Sequence, residues 1–408
     1  MRRRHLLALA PVAALAACTT DDSSTEAPAG ASDGGDGSGA SDPAEQPSGE
    51  QPSSDEPTTA PTTDPPTAAE LLLEELTPRE IAGQLVLVGI PAGEEIPEPV
   101  LSEHHAGGIF LLQIWESAQA VDAIVAAARE RSRGDLPPLI AVDQEGGQVR
   151  MLRGDAARRT PSAETLGAQG PRAVTEAYTS IGEDLAARGI QVALSPVADV
   201  VDPELGDANG PVGTLDRGFG TDPEAVGECV AAATEALAAQ GVQASLKHFP
   251  GLGRVEENTD FSAEGIEDPV TAPGDPFLES FRAGIEAGAG LVMMSSAIYP
   301  LIEPEVPAMF SSAAIEDLLR GELGFSGLVV SDDIGAAKAV AAVPVAERAT
   351  RLLAAGGDVV LTADASITGE LVDAIEAWAD EDEEQARRVR ESAGRMLALK
   401  EQLGLLEG

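Results

Sequence analysis

The sequence predicts an α/β fold built as a single closed (β/α)₈ barrel, on three observations. Eight short apolar runs recur along the chain, helical amphipathic stretches separate most of them, and no Gly-x-Gly-x-x-Gly follows an early run as a dinucleotide-binding open sheet would require. The runs are Gln84–Ile90, Gly108–Gln113, Leu139–Val142, Val192–Val197, Val242–Leu246, Gly290–Met294, Leu328–Ser331 and Asp358–Leu361. They are apolar on both faces, as parallel strands covered by helices are. Ala118–Arg131, Ala173–Arg188, Pro223–Gln240 and Pro276–Ala287 carry the helical patterns between them. A doubly wound open sheet is the alternative, and eight repeats favour closure.

Ahead of the barrel the chain reads as an export signal and a tether. Met1-Arg-Arg-Arg-His5 precedes an apolar run from Leu6 to Ala17, too short to span a bilayer. Leu15-Ala16-Ala17-Cys18 resembles the bacterial lipoprotein cleavage box, so residues 1–17 are expected to be a signal peptide and Cys18 the lipidated new N-terminus. Residues 18–68 are dominated by Ser, Thr, Asp, Glu, Gly, Pro and Ala and lack the apolar surface to offset ordering, so a disordered tether is expected there. The barrel is then residues 69–408 of an extracytoplasmic protein, held to the cell membrane through its lipid alone.

Composition narrows the partners. A formal charge of −43 makes nucleic acid and anionic lipid surfaces poor direct partners. Cys229, in an Ala-rich helical stretch, reads as a small buried hydrophobe. No His/Cys/carboxylate cluster has metal-ligand spacing and no phosphate loop is present, so neither metal nor cofactor is expected. A monomer is expected.

Barrel chemistry sits at the C-terminal ends of the strands, and there the sequence becomes polar. The third run leads into Asp143-Gln-Glu-Gly-Gly147, and the loop after the fourth holds Asp216-Arg-Gly-Phe-Gly220. The fifth delivers Lys247-His-Phe-Pro-Gly-Leu-Gly253 and the seventh Ser331-Asp-Asp333. Of 26 basic residues only Lys247, Lys338 and Lys400 are lysines, which singles out Lys247 beside His248. A compact ammonium with three donors suits a hydroxyl-rich ligand.

Together with Asp216-Arg-Gly-Phe-Gly-Thr-Asp222, Pro307-Ala-Met-Phe-Ser311 and Gly324-Phe-Ser-Gly-Leu-Val-Val-Ser-Asp-Asp333, these stretches resemble family 3 glycoside hydrolases, in the single-domain branch that includes bacterial β-N-acetylhexosaminidases. The resemblance spans nearly all of residues 72–405. It implies that Asp332 is the catalytic nucleophile and that Asp143, Arg217, Lys247 and His248 hydrogen-bond the sugar in the −1 subsite. It also implies a retaining mechanism, in which a carboxylate attacks the anomeric carbon and an acid protonates the leaving oxygen.

The chain departs from the family pattern at the acid. Two-domain relatives draw it from a second domain, and none is expected here because the chain ends just after the last barrel helix. Single-domain relatives use the His of an Asp-Ser-His motif after the fifth strand; the same spacing past Gly253 reaches Asn258-Thr-Asp260. The histidines are His5, His104, His105 and His248, with His104 and His105 expected at the surface. Asp260 is therefore the expected acid/base, with Glu256 and Glu257 as neighbouring candidates and Gly251-Leu-Gly253 as a lead-in that lets the loop move. Gln148 stands where relatives often have Arg, and Ser295-Ser296 where they often have His. The leading reading is an exo-β-glycosidase releasing terminal β-linked N-acetylglucosamine from wall-derived glycans or muropeptides. A β-glucosidase or related family 3 glycosidase is the second reading, and a wall-sugar-binding lipoprotein with impaired catalysis the third.

Overall fold

The computed structural model describes residues 65–406. The expected signal peptide, Cys18 and the tether up to residue 64 lie outside them. The first helix, Ala68–Glu75, starts from a reciprocal capping box in which Thr67 and Glu70 each accept the other's backbone N–H.

Eight strands follow: β1 (Val86–Pro91), β2 (Gly108–Leu112), β3 (Leu139–Val142), β4 (Val192–Ala193), β5 (Gln243–Phe249), β6 (Leu291–Met294), β7 (Leu328–Asp333) and β8 (Val359–Thr362). They close in the order β1-β8-β7-β6-β5-β4-β3-β2 with every neighbouring pair parallel. The fold is the (β/α)₈ barrel that the apolar runs predict. β4 stops short of its predicted end at Val197, because Pro196 has no N–H to continue the ladder. β5 and β7 run past their predicted ends to Phe249 and Asp333, since strands entering a polar mouth exchange apolar side chains for charged ones.

Period-two alternation sorts the strand residues into two cores. Leu87, Leu139, Ala141, Leu291, Met293, Leu328, Val330, Val359 and Leu361 pack inside the barrel. Val86, Val88, Ile140, Leu246, Val292 and Val329 face the helices. Extending the inward phase by one step past Leu139–Ala141 reaches Asp143, past Leu328–Val330 it reaches Asp332, and along β5 it runs through Ser245 to Lys247. The fold thereby converts a strand repeat into a ring of charge at one end.

Two outer helices begin where the sequence says they should, and two others start at Pro171 and Glu279 rather than Ala173 and Pro276. Ala118–Arg131 starts at its Ser117 cap, and Pro223–Ala238 at Asp222, whose side chain accepts from the Ala225 N–H. Cys229 is buried in that second helix, and burial pushes its thiol up to about 11, so it behaves as the expected small hydrophobe. His104 and His105 are half-buried rather than at the surface; the Arg79 guanidinium donates to His104 Nδ1 at 3.0 Å, on the N-terminal side of β2.

Candidate active site

A cavity of about 450 Å³ opens at the C-terminal ends of the strands, and Asp143, Arg217, Lys247, His248, Asp260 and Asp332 all line it. That volume lies in the roughly 300–1,000 Å³ range of small-ligand sites. All six predicted site residues within the barrel therefore line one cavity.

One buried polar network, centred on Glu145, fixes three of them. Lys247, 2% exposed, places Nζ 2.5 Å from Asp143 Oδ1 and 2.7 Å from Glu145 Oε1. Arg217 grips the same Glu145 with two parallel bonds, Nε to Oε2 at 2.9 Å and Nη2 to Oε1 at 2.8 Å. Burial alone would raise the Glu145 carboxyl, but the charges of Arg217 and Lys247 prevail and hold it at about 2. Burial likewise pulls the Lys247 ammonium down, while Asp143 and Glu145 together leave it above its ordinary value. The pocket thus keeps its two cations charged, each held by a neighbouring carboxylate.

His248 is oriented from behind. Its ring Nδ1 lies 2.8 Å from Asp199 Oδ2, while Asp199 Oδ1 accepts from the His248 and Leu252 backbone N–H groups. Its Nε2 faces Arg217 Nη2 at 3.4 Å. A guanidinium only donates, so in the neutral ring Nε2 accepts there and the proton sits on Nδ1, toward Asp199.

The Ser331-Asp-Asp333 run divides into two tasks. Asp333 is a turn residue: its Oδ1 accepts from the Gly335 and Ala363 backbone N–H groups at 2.8 Å each, and its Oδ2 from Ala336 at 3.0 Å. Asp332 accepts one backbone N–H, from Asp333 at 2.9 Å, and a long 3.5 Å bond from Ser296 Oγ. It is the half-buried carboxylate left free to face a ligand. Burial first, and then the charge of Asp260, push it up to about 6, against the opposing pull of His248 and the Asp333 amide.

Asp260 lines the cavity from the loop after β5. Asn258 Oδ1 accepts its backbone N–H at 2.9 Å, and its carbonyl accepts from Lys338 N–H at 3.2 Å. Its carboxyl is raised, first by desolvation and further by Asp333 and Asp143, with His248 and Arg217 opposing. Glu256 and Glu257, the neighbouring candidates, are exposed and do not line this cavity. The two glycines of the lead-in each have a structural role. A Cβ at Gly253 would lie 1.7 Å from the Val200 carbonyl oxygen, and Leu252 between the glycines is 2% exposed. Gly253 is glycine for this close approach, and Gly251 for its positive φ of 131°.

Two functional carboxylates escaped the sequence reading. The signal for Glu145 is the second acid inside Asp143-Gln-Glu-Gly-Gly147. Asp199 was detectable as a lone acid among Val197, Ala198, Val200 and Val201, a setting that marks a buried, partnered carboxylate. Gln148 and the Pro307–Ser311 motif do not line the cavity, and Asp222 serves as a helix cap. Among the described residues, no group of three or more His, Cys, Asp or Glu is placed to hold a metal.

Residues 77–399 match the family described as Glycosyl hydrolase family 3 N terminal domain. The chain belongs to glycoside hydrolase family 3. Within that family it is 36% identical over 303 residues to a beta-hexosaminidase of Xanthomonas oryzae pv. oryzae, covering 72% of this chain and 87% of the relative. The solved β-N-acetylhexosaminidase of Beutenbergia cavernae DSM 12333 is 42% identical with a TM-score of 0.76, over 80% of this chain and 99% of that one. A family 3 β-N-acetylglucosaminidase from Paenibacillus sp. str. FPU-7 is 31% identical with a TM-score of 0.71, over 82% of this chain and 64% of its own. This family 3 member is a glycoside hydrolase.

Proposed function

We propose that this family 3 hydrolase is a retaining exo-β-N-acetylglucosaminidase that removes terminal β-linked N-acetylglucosamine from wall-derived glycans or muropeptides. One observation carries the mechanism: Asp332 stands free in the same cavity as Asp260, while its neighbour Asp333 is consumed by three backbone amides. Asp143, Arg217, Lys247 and His248 hold the sugar, with Asp143 accepting from hydroxyls and the cations donating to oxygens. Asp332 attacks the anomeric carbon while Asp260 protonates the leaving oxygen. Asp260, ionised by that transfer, then takes a proton from the water that hydrolyses the glycosyl ester. Both groups belong to the barrel, which supports membership of the single-domain branch.

The substrate assignment rests on similarity to hexosaminidases, and a panel of aryl β-glycosides tests it. The N-acetylglucosaminide should be cleaved with the highest kcat/KM, ahead of the glucoside and xyloside. A faster glucoside or xyloside would move the enzyme to another family 3 specificity, and turnover of none would leave a binding protein.

Residues 1–18 support export and lipid anchoring at Cys18, with the polar segment that follows as the tether. In the native host, Cys18→Ser should shift the protein from the salt-washed membrane fraction to the soluble one with kcat unchanged. Retention on the membrane would refute the anchor.

A further inference from the structure

The chain has 12 aromatic residues among 408. Eleven are buried or half-buried, and Phe261 alone is exposed, at 81%. It follows Asp260 directly and lines the same cavity as Asp332. The fold does not use this ring: it stands in water where a polar residue would serve the loop equally well.

Its backbone, by contrast, is anchored. Phe261 N–H donates to the Asn258 carbonyl at 3.0 Å and Ser262 N–H donates to the same oxygen at 2.9 Å. Thr259, 2% exposed, accepts from Ala339 N–H at 3.1 Å, and Asp260 accepts from Lys338 N–H. The segment that presents the ring is thus tied to the loop following β7, the strand that carries Asp332.

We infer that Phe261 is the leaving-group platform of this enzyme, a specificity-determining residue whose ring stacks on the pyranose beyond the scissile bond. The inference rests on the proposed roles of Asp332 and Asp260. Asp332 is half-buried and Asp260 exposed in the lining of one cavity, so Asp260 stands nearer the solvent. A glycoside attacked by Asp332 and protonated by Asp260 directs its leaving sugar outward past Asp260, where Phe261 is the adjacent lining residue. Pyranose rings present a face of C–H groups, and the electron-rich face of an aromatic ring attracts such positively polarised hydrogens. A stacking contact also tolerates different hydroxyl patterns, which suits an exo-enzyme that meets one terminal sugar on varied partners.

The test compares two substrates of the full chain that differ in the aglycone: the β-1,4-linked disaccharide of N-acetylglucosamine and N-acetylglucosaminyl fluoride, which has no leaving sugar to stack. Phe261→Ala should lower kcat/KM on the disaccharide about tenfold further than on the fluoride, and Phe261→Trp should recover most of that difference. Equal losses on both substrates, or no loss on the disaccharide, would overturn the platform. Failure of the wild-type enzyme on both substrates would instead refute the N-acetylglucosaminidase reading, so the two failures are distinguishable.

Discussion

Asp332→Ala should lower kcat/KM on every substrate by on the order of 10⁴-fold, about 5 kcal/mol of barrier, because the proposed mechanism forms its covalent intermediate on this carboxylate. The fold should survive. Asp332 makes only the Asp333 amide contact and a 3.5 Å bond from Ser296. Its carboxyl sits at about 6 in the folded protein, above the ordinary value, so the folded state binds its proton more tightly than the unfolded chain. Above pH 6 the ionised group therefore detracts from stability, and its removal should leave the thermal midpoint at pH 7 no lower than that of the wild type. Azide added to the variant should enter from the vacated face and yield the α-glycosyl azide. An activated fluorosugar should label the wild-type enzyme on a peptide carrying Asp332 at that residue. Asp333→Ala makes the contrast, since it releases three backbone amides and should lower the midpoint. Labelling at Asp333 or Asp143, or net inversion by the wild type, would remove Asp332 as the nucleophile.

The strands were legible because parallel barrel strands are apolar on both faces and short, so each stands out from the helices around it. Asp143, Lys247 and Asp332 were legible for a second reason: each continues the inward phase of its strand. Features that depend on distant partners were not legible in the same way. Glu145 matters because Arg217, 72 residues away, closes on it. Asp199 matters because it meets the ring and backbone of His248, 49 residues on. The glycines before the Asp260 loop show the converse failure. Glycine permits motion and permits close approach, and local sequence does not distinguish them; the Val200 carbonyl assigns Gly253 to close approach.

Asp260→Ala should separate substrates by their need for a proton. On an unactivated disaccharide, kcat/KM should fall roughly 10²–10⁴-fold, the usual worth of general acid catalysis. On a nitrophenyl glycoside, whose departing phenolate needs little help, kcat/KM should change little. Turnover of that substrate should then be limited by the second step, and azide should restore it in part, giving the β-glycosyl azide by attack on the glycosyl enzyme. The pH profile supplies an independent readout. Desolvation raises both carboxyls, and the charge of Asp260 raises Asp332 further. Retaining enzymes hold such a pair about 5–5.5 Å apart, close enough for the two to titrate as one coupled system. The active form holds a single proton, on Asp260. As pH falls, Asp332 is protonated and cannot attack; as pH rises, Asp260 is ionised and cannot donate. The wild-type optimum should therefore lie at lower pH than in relatives whose acid is a histidine, with its ordinary pKa of about 6.5. Without Asp260 the basic limb should disappear, because nothing remains to deprotonate. The acid limb should stay near its wild-type position, because Asp260 is already protonated and neutral where Asp332 takes up its proton. Equal losses on good and poor leaving groups, with both limbs in place, would reduce Asp260 to a turn residue held by Asn258.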